Sequence, residues 1–303
     1  MDHAILAVLG PWVWLALPLL LLAATTILVA GWLRRWRRSR FRTYGFEIRT
    51  FHLPDEGTVQ YAQWLHPKDT PKSIWQEDVT ALRRFVREGD MVIDIGAHSG
   101  DTTLPLALAA GRSGCTLALE PNPHVLAVLR QNAGLNPDKT HIVPLDFAAT
   151  ETDGAFTFHY SDGGYCNGGF LSRIKDQRHG HRQPLTVQGR NLDCYLRQHY
   201  AALLPRLSFI KVDTEGYDRQ VLASILSVLR EFRPVVVCEV LGRLVAEERA
   251  ALYELLDQAG YDCYKRQDAA DLQGPRILAD DMMRWKHFDI LALPRRQLHV
   301  VAA

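Results

Sequence analysis

The sequence predicts an α/β fold: a mostly parallel sheet covered by helices on both faces, ended by a C-terminal antiparallel strand pair and preceded by one transmembrane helix. Three observations predict it. From Met91 onward, short apolar runs alternate with stretches of helical period, the pattern of strand–helix units that build a parallel sheet. The first of those runs ends in an acid and two spaced glycines, VIDIGAHSG, at the place where such sheets bind ligands. Finally, residues 4–33 carry no charge, a longer stretch than the about 20 residues that cross a bilayer.

The uncharged run comes first. Trp12 and Trp14 stand near one end, Trp32 and Trp36 near the other. A helix from Trp14 to Trp32 would span roughly 27 Å, so the pairs suit the two interfacial belts. Pro11 and Pro18 disturb its start, which sets the regular span at about residues 12–33. A cleaved leader would show a basic start and a shorter apolar core, and neither is present. Arg34, Arg35, Arg37, Arg38, Arg40 and Arg42 follow at once. Positive residues stay on the cytoplasmic side, so the N-terminus is expected outside and the rest of the chain in the cytoplasm. Residues 4–42 would then contact membrane lipids, the arginines meeting anionic headgroups at about 1 kcal/mol each.

The remaining elements follow in order. FRTYGFEIRTFHL alternates like a strand, HPKDTP (residues 66–71) is a loop, and residues 73–86 read as a helix stopped by Gly89 and Asp90. MVIDIG and CTLALE are strands around the helix TTLPLALAAG. PHVLAVLRQNAG opens with proline and closes with glycine, the expected asymmetry of a helix. HIVPLDFA (residues 141–148) is a third strand and AFTFHY (155–160) an edge strand. Residues 161–184 form a long glycine-rich, then basic, loop. Residues 192–204 are helical. LSFIKVD, PVVVCEV, YDCYKR and HFDILALP are strands, with helices over residues 217–232 and 243–260. The chain divides into an anchor with its basic segment (1–40), an extension (41–88) and a ligand-binding domain (89–303).

Hydrophobic residues make up 47% of the 303, enough for a full core, and the net charge of +1 gives no field for a nucleic-acid partner. Five scattered cysteines without a Cys-x-x-Cys pair suggest neither a disulfide framework nor a zinc site.

The glycine turn narrows the ligand. A nicotinamide fold would show Gly-x-Gly-x-x-Gly, but Ala97 and His98 follow Gly96; a P-loop would need Gly-Lys-Ser/Thr. Asp94, Gly96 and Gly100 instead let backbone approach an amino-acid-like ligand. Glu120 ends the second strand, where an acid can take two ribose hydroxyls. Both features suit S-adenosylmethionine. From residue 74 to residue 294 the chain resembles the FkbM-type methyltransferases, through VIDIGAHSGDTT, LEPNPHVLAVLRQN, NLDCYL, FIKVDTEGYD and RPVVVCEV in that order. The resemblance implies a Rossmann-like class I methyltransferase fold, S-adenosylmethionine as donor and a hydroxyl as the usual acceptor. The family commonly has Asn where His98 stands.

VDTEGYD supplies the candidate catalytic residues. Asp213 and Glu215 are two apart at a strand end, and an extended backbone would aim both carboxylates alike. Either could take a proton from a poor nucleophile; the rival role is to cap the next helix. With Glu239 they could form a cluster able to hold Mg²⁺, a possibility that no spacing rule favours. His98 is a further candidate beside the donor, as are Asp146 and Phe147 for the adenine. Arg173, Lys175, Arg178 and Arg182 in the long loop are candidates to meet an anionic acceptor group. The expected protein is a membrane-anchored methyltransferase whose acceptor is a small molecule or lipid-linked sugar. A non-catalytic scaffold and an oxidoreductase are the alternatives.

Overall fold

Helices and strands alternate much as the periodicities predict, and the order in which the strands pair decides where a ligand can sit. The computed structural model describes residues 18–33, 44–160, 183–267 and 272–295. Residues 1–42 and 43–303 form two separate units.

In the first unit, helix α1 covers residues 18–33 and exposes Leu19 to Leu22, Ile27, Leu28 and Trp32. The expected membrane span begins at about residue 12, and residues 12–17 lie outside the described residues; no helix among the described residues is long and apolar enough to cross a membrane. Trp12, Trp14 and the arginines between 34 and 42 lie outside the described residues.

The second unit opens with an antiparallel hairpin, β1 (Phe46–Leu53) and β2 (Gly57–Trp64), and helix α2 (Gln76–Leu82). Then come β3 (Met91–Ile95), α3 (Thr103–Ala110), β4 (Cys115–Leu119), α4 (Pro123–Leu135) and β5 (Ile142–Leu145). Short strands β6 (Ala148–Thr150), β7 (Gly154–Tyr160) and β8 (Gln183–Asn191) precede α5 (Leu192–His199) and β9 (Leu207–Val212). The chain continues through α6 (Asp218–Ser224), α7 (Leu226–Phe232), β10 (Val235–Val240), α8 (Ala246–Gln258), β11 (Tyr261–Arg266), β12 (Gln273–Arg276) and β13 (Phe288–Pro294).

Eight strands form one sheet in the order β12-β11-β13-β10-β9-β3-β4-β5. The five from β10 to β5 are parallel, and β13 runs antiparallel to both β10 and β11. The chain steps outward from β3 to β4 and β5, then returns to the other side of β3 with β9. That reversal opens a crevice at the carboxyl ends of β3 and β9.

Both faces of the sheet are covered, which is why its central strands are continuous apolar runs. Ile93, Ile95, Ile210 and Val212 pack against Val221, Leu229 and Leu252 from α6, α7 and α8. On the other face Val92, Phe209 and Val237 pack against Leu104 and Leu106 of α3, Val79 of α2 and Tyr61 of β2. The 41–88 extension therefore shares the core of the sheet.

Three expectations need correction. The run at 141–148 is two strands: β5 stops at Leu145, and β6 belongs to a separate sheet ordered β6-β8-β7. The loop expected over 161–184 ends two residues early, where β8 begins at Gln183 and pairs antiparallel with β7; residues 161–182, with the four basic candidates, lie outside the described residues. The helix at 217–232 breaks at Ile225. There the Ser224 hydroxyl donates to the Val221 carbonyl at 2.7 Å, competing with the helical ladder without any glycine or proline to announce it.

Candidate active site

Asp94, at the end of β3, is fully buried, and its Cα neighbour on β9 is Lys211. Its Oδ1 accepts from Lys211 Nζ at 3.3 Å, and its Oδ2 accepts from the Thr102 and Thr103 hydroxyls at 2.9 and 2.6 Å. Asp94 thus ties the start of α3 to the strand and holds a buried cation. Burial disfavours the Lys211 ammonium, but Asp94, Asp213 and Asp101 outweigh that and hold its pKa above the ordinary lysine value. Lys211 Nζ also lies 3.5 Å from Asp213 Oδ2.

The two glycines of the turn have separate reasons. Gly96 has φ 82°, and a Cβ there would sit 1.9 Å from the Asp213 carbonyl oxygen. The ends of β3 and β9 can touch only because that atom is missing. Gly100, with φ 97°, leaves room for Leu129 of α4, whose Cδ1 would be 2.9 Å from an added Cβ. Between them His98 is left-handed, at φ 50°. Its backbone N–H donates to Glu120 Oε2 at 3.0 Å, while its ring packs edge-on to Trp64 of the hairpin, 5.4 Å between centroids.

Glu120 follows β4 and is 4% exposed. Its other oxygen accepts from the Asn122 N–H at 2.8 Å. Burial pushes its carboxyl up to about 7, against the pull of those two N–H groups. Together with Gly96, Asp213 and Glu215 it lines a cavity of about 90 Å³ at the strand ends. Phe147, Phe158 and Tyr160 add aromatic rings to the same lining. Phe147 is held edge-on by Tyr195 at 4.7 Å, with the Arg190 guanidinium 5.6 Å from its ring.

The expected donor residues therefore separate. Gly96, Glu120 and Phe147 line the cavity. Asp94, Gly100 and the backbone of His98 support it from behind. The Asp146 side chain is 69% exposed and pairs with Arg130 at 3.3 Å, outside the cavity.

β9 ends at Val212, so the extended alternation expected through Glu215 does not occur. Residues 214–216 form a turn, with Glu215 at φ 57° and Gly216 at φ 99°. The turn still brings Asp213 and Glu215 to one cavity. Neither caps α6, whose N-cap Tyr217 makes no side-chain cap bond. The turn is held by Asp218, which accepts from the Thr214 hydroxyl at 3.0 Å, the Gly216 N–H at 3.3 Å and the Glu239 N–H at 3.2 Å. Burial and the Asp213 charge push Glu215 up to about 7 and Asp218 likewise to about 7. Burial with Asp213, Glu215 and Asp218 raises Glu239 to about 9. Glu239 Oε1 faces His287 Nε2 at 3.3 Å, and its buried Oε2 has no hydrogen-bond partner. Among the described residues no group of three or more such side chains, Asp213, Glu215 and Glu239 included, is placed to hold a metal ion.

These raised pKa values have a stability consequence. Each carboxyl holds its proton more tightly in the folded state than at the ordinary value of about 4. The stabilisation is complete below that value and is lost as pH rises through the folded pKa. The ligand-free melting temperature should therefore fall from pH 6 to pH 9.5. Glu239→Gln should flatten the upper half of that fall; identical curves for both proteins would contradict it.

Lys211 is the residue that the sequence reading missed. Its signal was present: a single lysine inside a strand buried on both faces must be paired. Asp218 gave less warning, as a first-turn acid like many others.

A family profile described as "Methyltransferase FkbM domain" matches residues 94–263, more than half of the chain. Among solved structures, the chain is similar to the FkbM methyltransferase of Methylobacillus flagellatus KT, 15% identical, with TM-score 0.39. That likeness covers 69% of this chain, and the chain spans only 44% of that protein. An S-adenosylmethionine-dependent O-methyltransferase of Thermotoga maritima is 12% identical, covers 82% of this chain and 79% of its own, and has TM-score 0.40. Fibrillarin of Aeropyrum pernix, in complex with S-adenosyl-L-methionine, is 15% identical over 84% of this chain and 95% of its own, at TM-score 0.40. No curated protein matches. By the family match over more than half of its length, the chain belongs to the FkbM methyltransferase-domain family.

Proposed function

We propose that this protein is an S-adenosylmethionine-dependent methyltransferase that acts on a hydroxyl, tethered to a membrane by its N-terminal segment. The observation that carries the reading is the meeting of Glu120, Asp213 and Glu215 with aromatic rings in one cavity at the reversal of strand order. The donor set fits the cofactor: a carboxylate after β4 for a ribose diol, aromatic rings for a base, and close backbone at Gly96. When bound, S-adenosylmethionine supplies an activated methyl group on a sulfonium. The protein's own work is then to hold the two reactants in line and to accept the hydroxyl proton. Glu215 suits the second task, because a general base works best with a pKa near the working pH, and burial sets it at about 7.

Calorimetry on the full chain tests the donor half. S-adenosylmethionine and S-adenosylhomocysteine should both bind, and Glu120→Ala should weaken both at least about tenfold, the loss of roughly one charge-assisted hydrogen bond. Unchanged affinity in the variant would remove Glu120 from the site; no binding to wild type would remove the cofactor.

The tether rests on the uncharged residues 4–33, the exposed apolar side chains of α1 and the arginines that follow. It suggests an acceptor found at the membrane, such as a sugar or lipid-linked glycan, and a catalytic domain on the cytoplasmic side. Protease added to intact cells should leave the domain whole, and lysis should expose it. Digestion in intact cells would reverse the topology, and a chain recovered wholly in the high-speed supernatant would remove the tether.

A further inference from the structure

Strand β2 pairs with β1 along one edge. Its other edge faces Asn132 of α4 and Asn136, the residue that ends that helix. Asn136 Oδ1 accepts from the Gln60 N–H at 2.9 Å, and its Nδ2 donates to the Gln60 carbonyl at 2.8 Å. Asn132 treats Ala62 in the same way: its Oδ1 accepts from the Ala62 N–H at 2.6 Å, and its Nδ2 donates to the Ala62 carbonyl at 3.1 Å. Alternate strand residues present their backbone groups on one edge, and helix residues four apart share one face. Two asparagines one turn apart therefore supply what a neighbouring strand would.

Asn132 makes a third bond that Asn136 does not. Its Nδ2 also donates to the Ser99 carbonyl at 2.7 Å. Ser99 stands between the left-handed His98, at φ 50°, and Gly100, at φ 97°. A left-handed residue other than glycine persists only where its surroundings fix it. Ser99 is fully buried, so its carbonyl needs a donor from the protein, and Asn132 provides it. The hairpin reaches the same turn through the Tyr61 hydroxyl, hydrogen-bonded to Ser99 Oγ at 2.8 Å, and through the Trp64 ring against His98. The turn in turn shapes the donor-side cavity: Gly96 lines it, and the His98 N–H holds the Glu120 carboxylate. Asn132 suits this junction because an amide offers an acceptor and two donors at once.

We infer that Asn132 is a positioning residue for donor binding: it fixes the Ser99 carbonyl, and with it the 96–100 turn that holds Glu120, and so makes the β1–β2 hairpin part of the donor site. This role rests on the methyl-transfer reading for the identity of the ligand.

Asn136 is the matched control. It is 3% exposed against 1% for Asn132 and makes the same two bonds to the hairpin, but none to the turn. The test is calorimetry of the full chain with S-adenosylhomocysteine, below the melting temperature of every variant. Asn132→Ala should weaken binding at least about tenfold and Asn136→Ala by no more than about twofold, although both lose buried hydrogen bonds and stability. Equal weakening by the two variants, or full affinity in Asn132→Ala, overturns the positioning role and leaves the donor site standing. Where Asn132→Ala does not fold, hydrogen exchange in wild type decides. S-adenosylhomocysteine should slow exchange of the Ala62 N–H more than that of the Gln60 N–H, and equal slowing of the two, or none, overturns the role. No S-adenosylhomocysteine binding by wild type overturns the methyl-transfer reading itself, and the role of Asn132 falls with it.

Discussion

Glu215→Gln is expected to slow methyl transfer by about 10²–10⁴ and to abolish the rise of rate with pH centred near 7. Glu215 lines the donor-side cavity, and burial and the Asp213 charge bring its carboxyl to about 7. An ionised carboxylate accepts a proton, so activity should rise as pH passes that value. Gln keeps the size of the side chain and the left-handed backbone at φ 57°, so the folded state should change little. Asp213→Asn makes a different mark. It removes the negative neighbour that raises Glu215, so the rising limb should survive and move to lower pH. A pH–rate profile for the three proteins separates the two residues. If Glu215→Gln keeps the limb and Asp213→Asn loses it, the roles are reversed. If both variants retain full activity, neither is the base.

Gly96→Ala is expected to cost about 3–5 kcal/mol of stability and to abolish donor binding. Two effects add: a side chain at φ 82° is strained, and its Cβ would lie 1.9 Å from the Asp213 carbonyl oxygen and 2.9 Å from its carbon. Both obstructing atoms are backbone, so no side chain can rotate away. Relief requires β3 and β9 to part at their carboxyl ends, where Asp213 N–H also donates to the Ile95 carbonyl at 2.9 Å. Gly134→Ala is the control. Gly134 lies in α4 with nothing within 4 Å of an added Cβ, so alanine there should stabilise by about 0.5–1 kcal/mol. Urea unfolding of both variants checks the pair, and a Gly96→Ala midpoint within error of wild type would refute the close-contact account.

The central strands were legible because burial on both faces writes a continuous apolar run. MVIDIG, CTLALE and PVVVCEV coincide with β3, β4 and β10 to within a residue at either end. The helices between them showed their apolar period and their glycine stops. Shorter elements were not legible for an equally physical reason. β8 carries glycine and proline near its ends and becomes a strand through pairing with β7, a contact set by distant chain. The break at Ile225 depends on one hydroxyl finding a carbonyl.

The site divides in the same way. The acid, the spaced glycines, Glu120 and the Asp-x-Glu at a later strand end were readable as residue types suited to a nucleoside donor. Their roles were not. Asp94 was expected at the donor, and the register of β3 against β9 sets it beside Lys211, whose ammonium it holds. Asp146 was expected at the cavity and turns outward to Arg130, while its neighbour Phe147 turns in. The sequence by itself determined the family, the alternation of strands and helices and the residue types that meet at the candidate site, because these follow from local periodicity and from motifs a few residues long. Only the tertiary structure decided which charges face one another across strands, and which glycine serves a strand contact and which a helix contact. Those facts depend on the order and register of strands more than a hundred residues apart in the chain, and local patterns carry no information about that pairing.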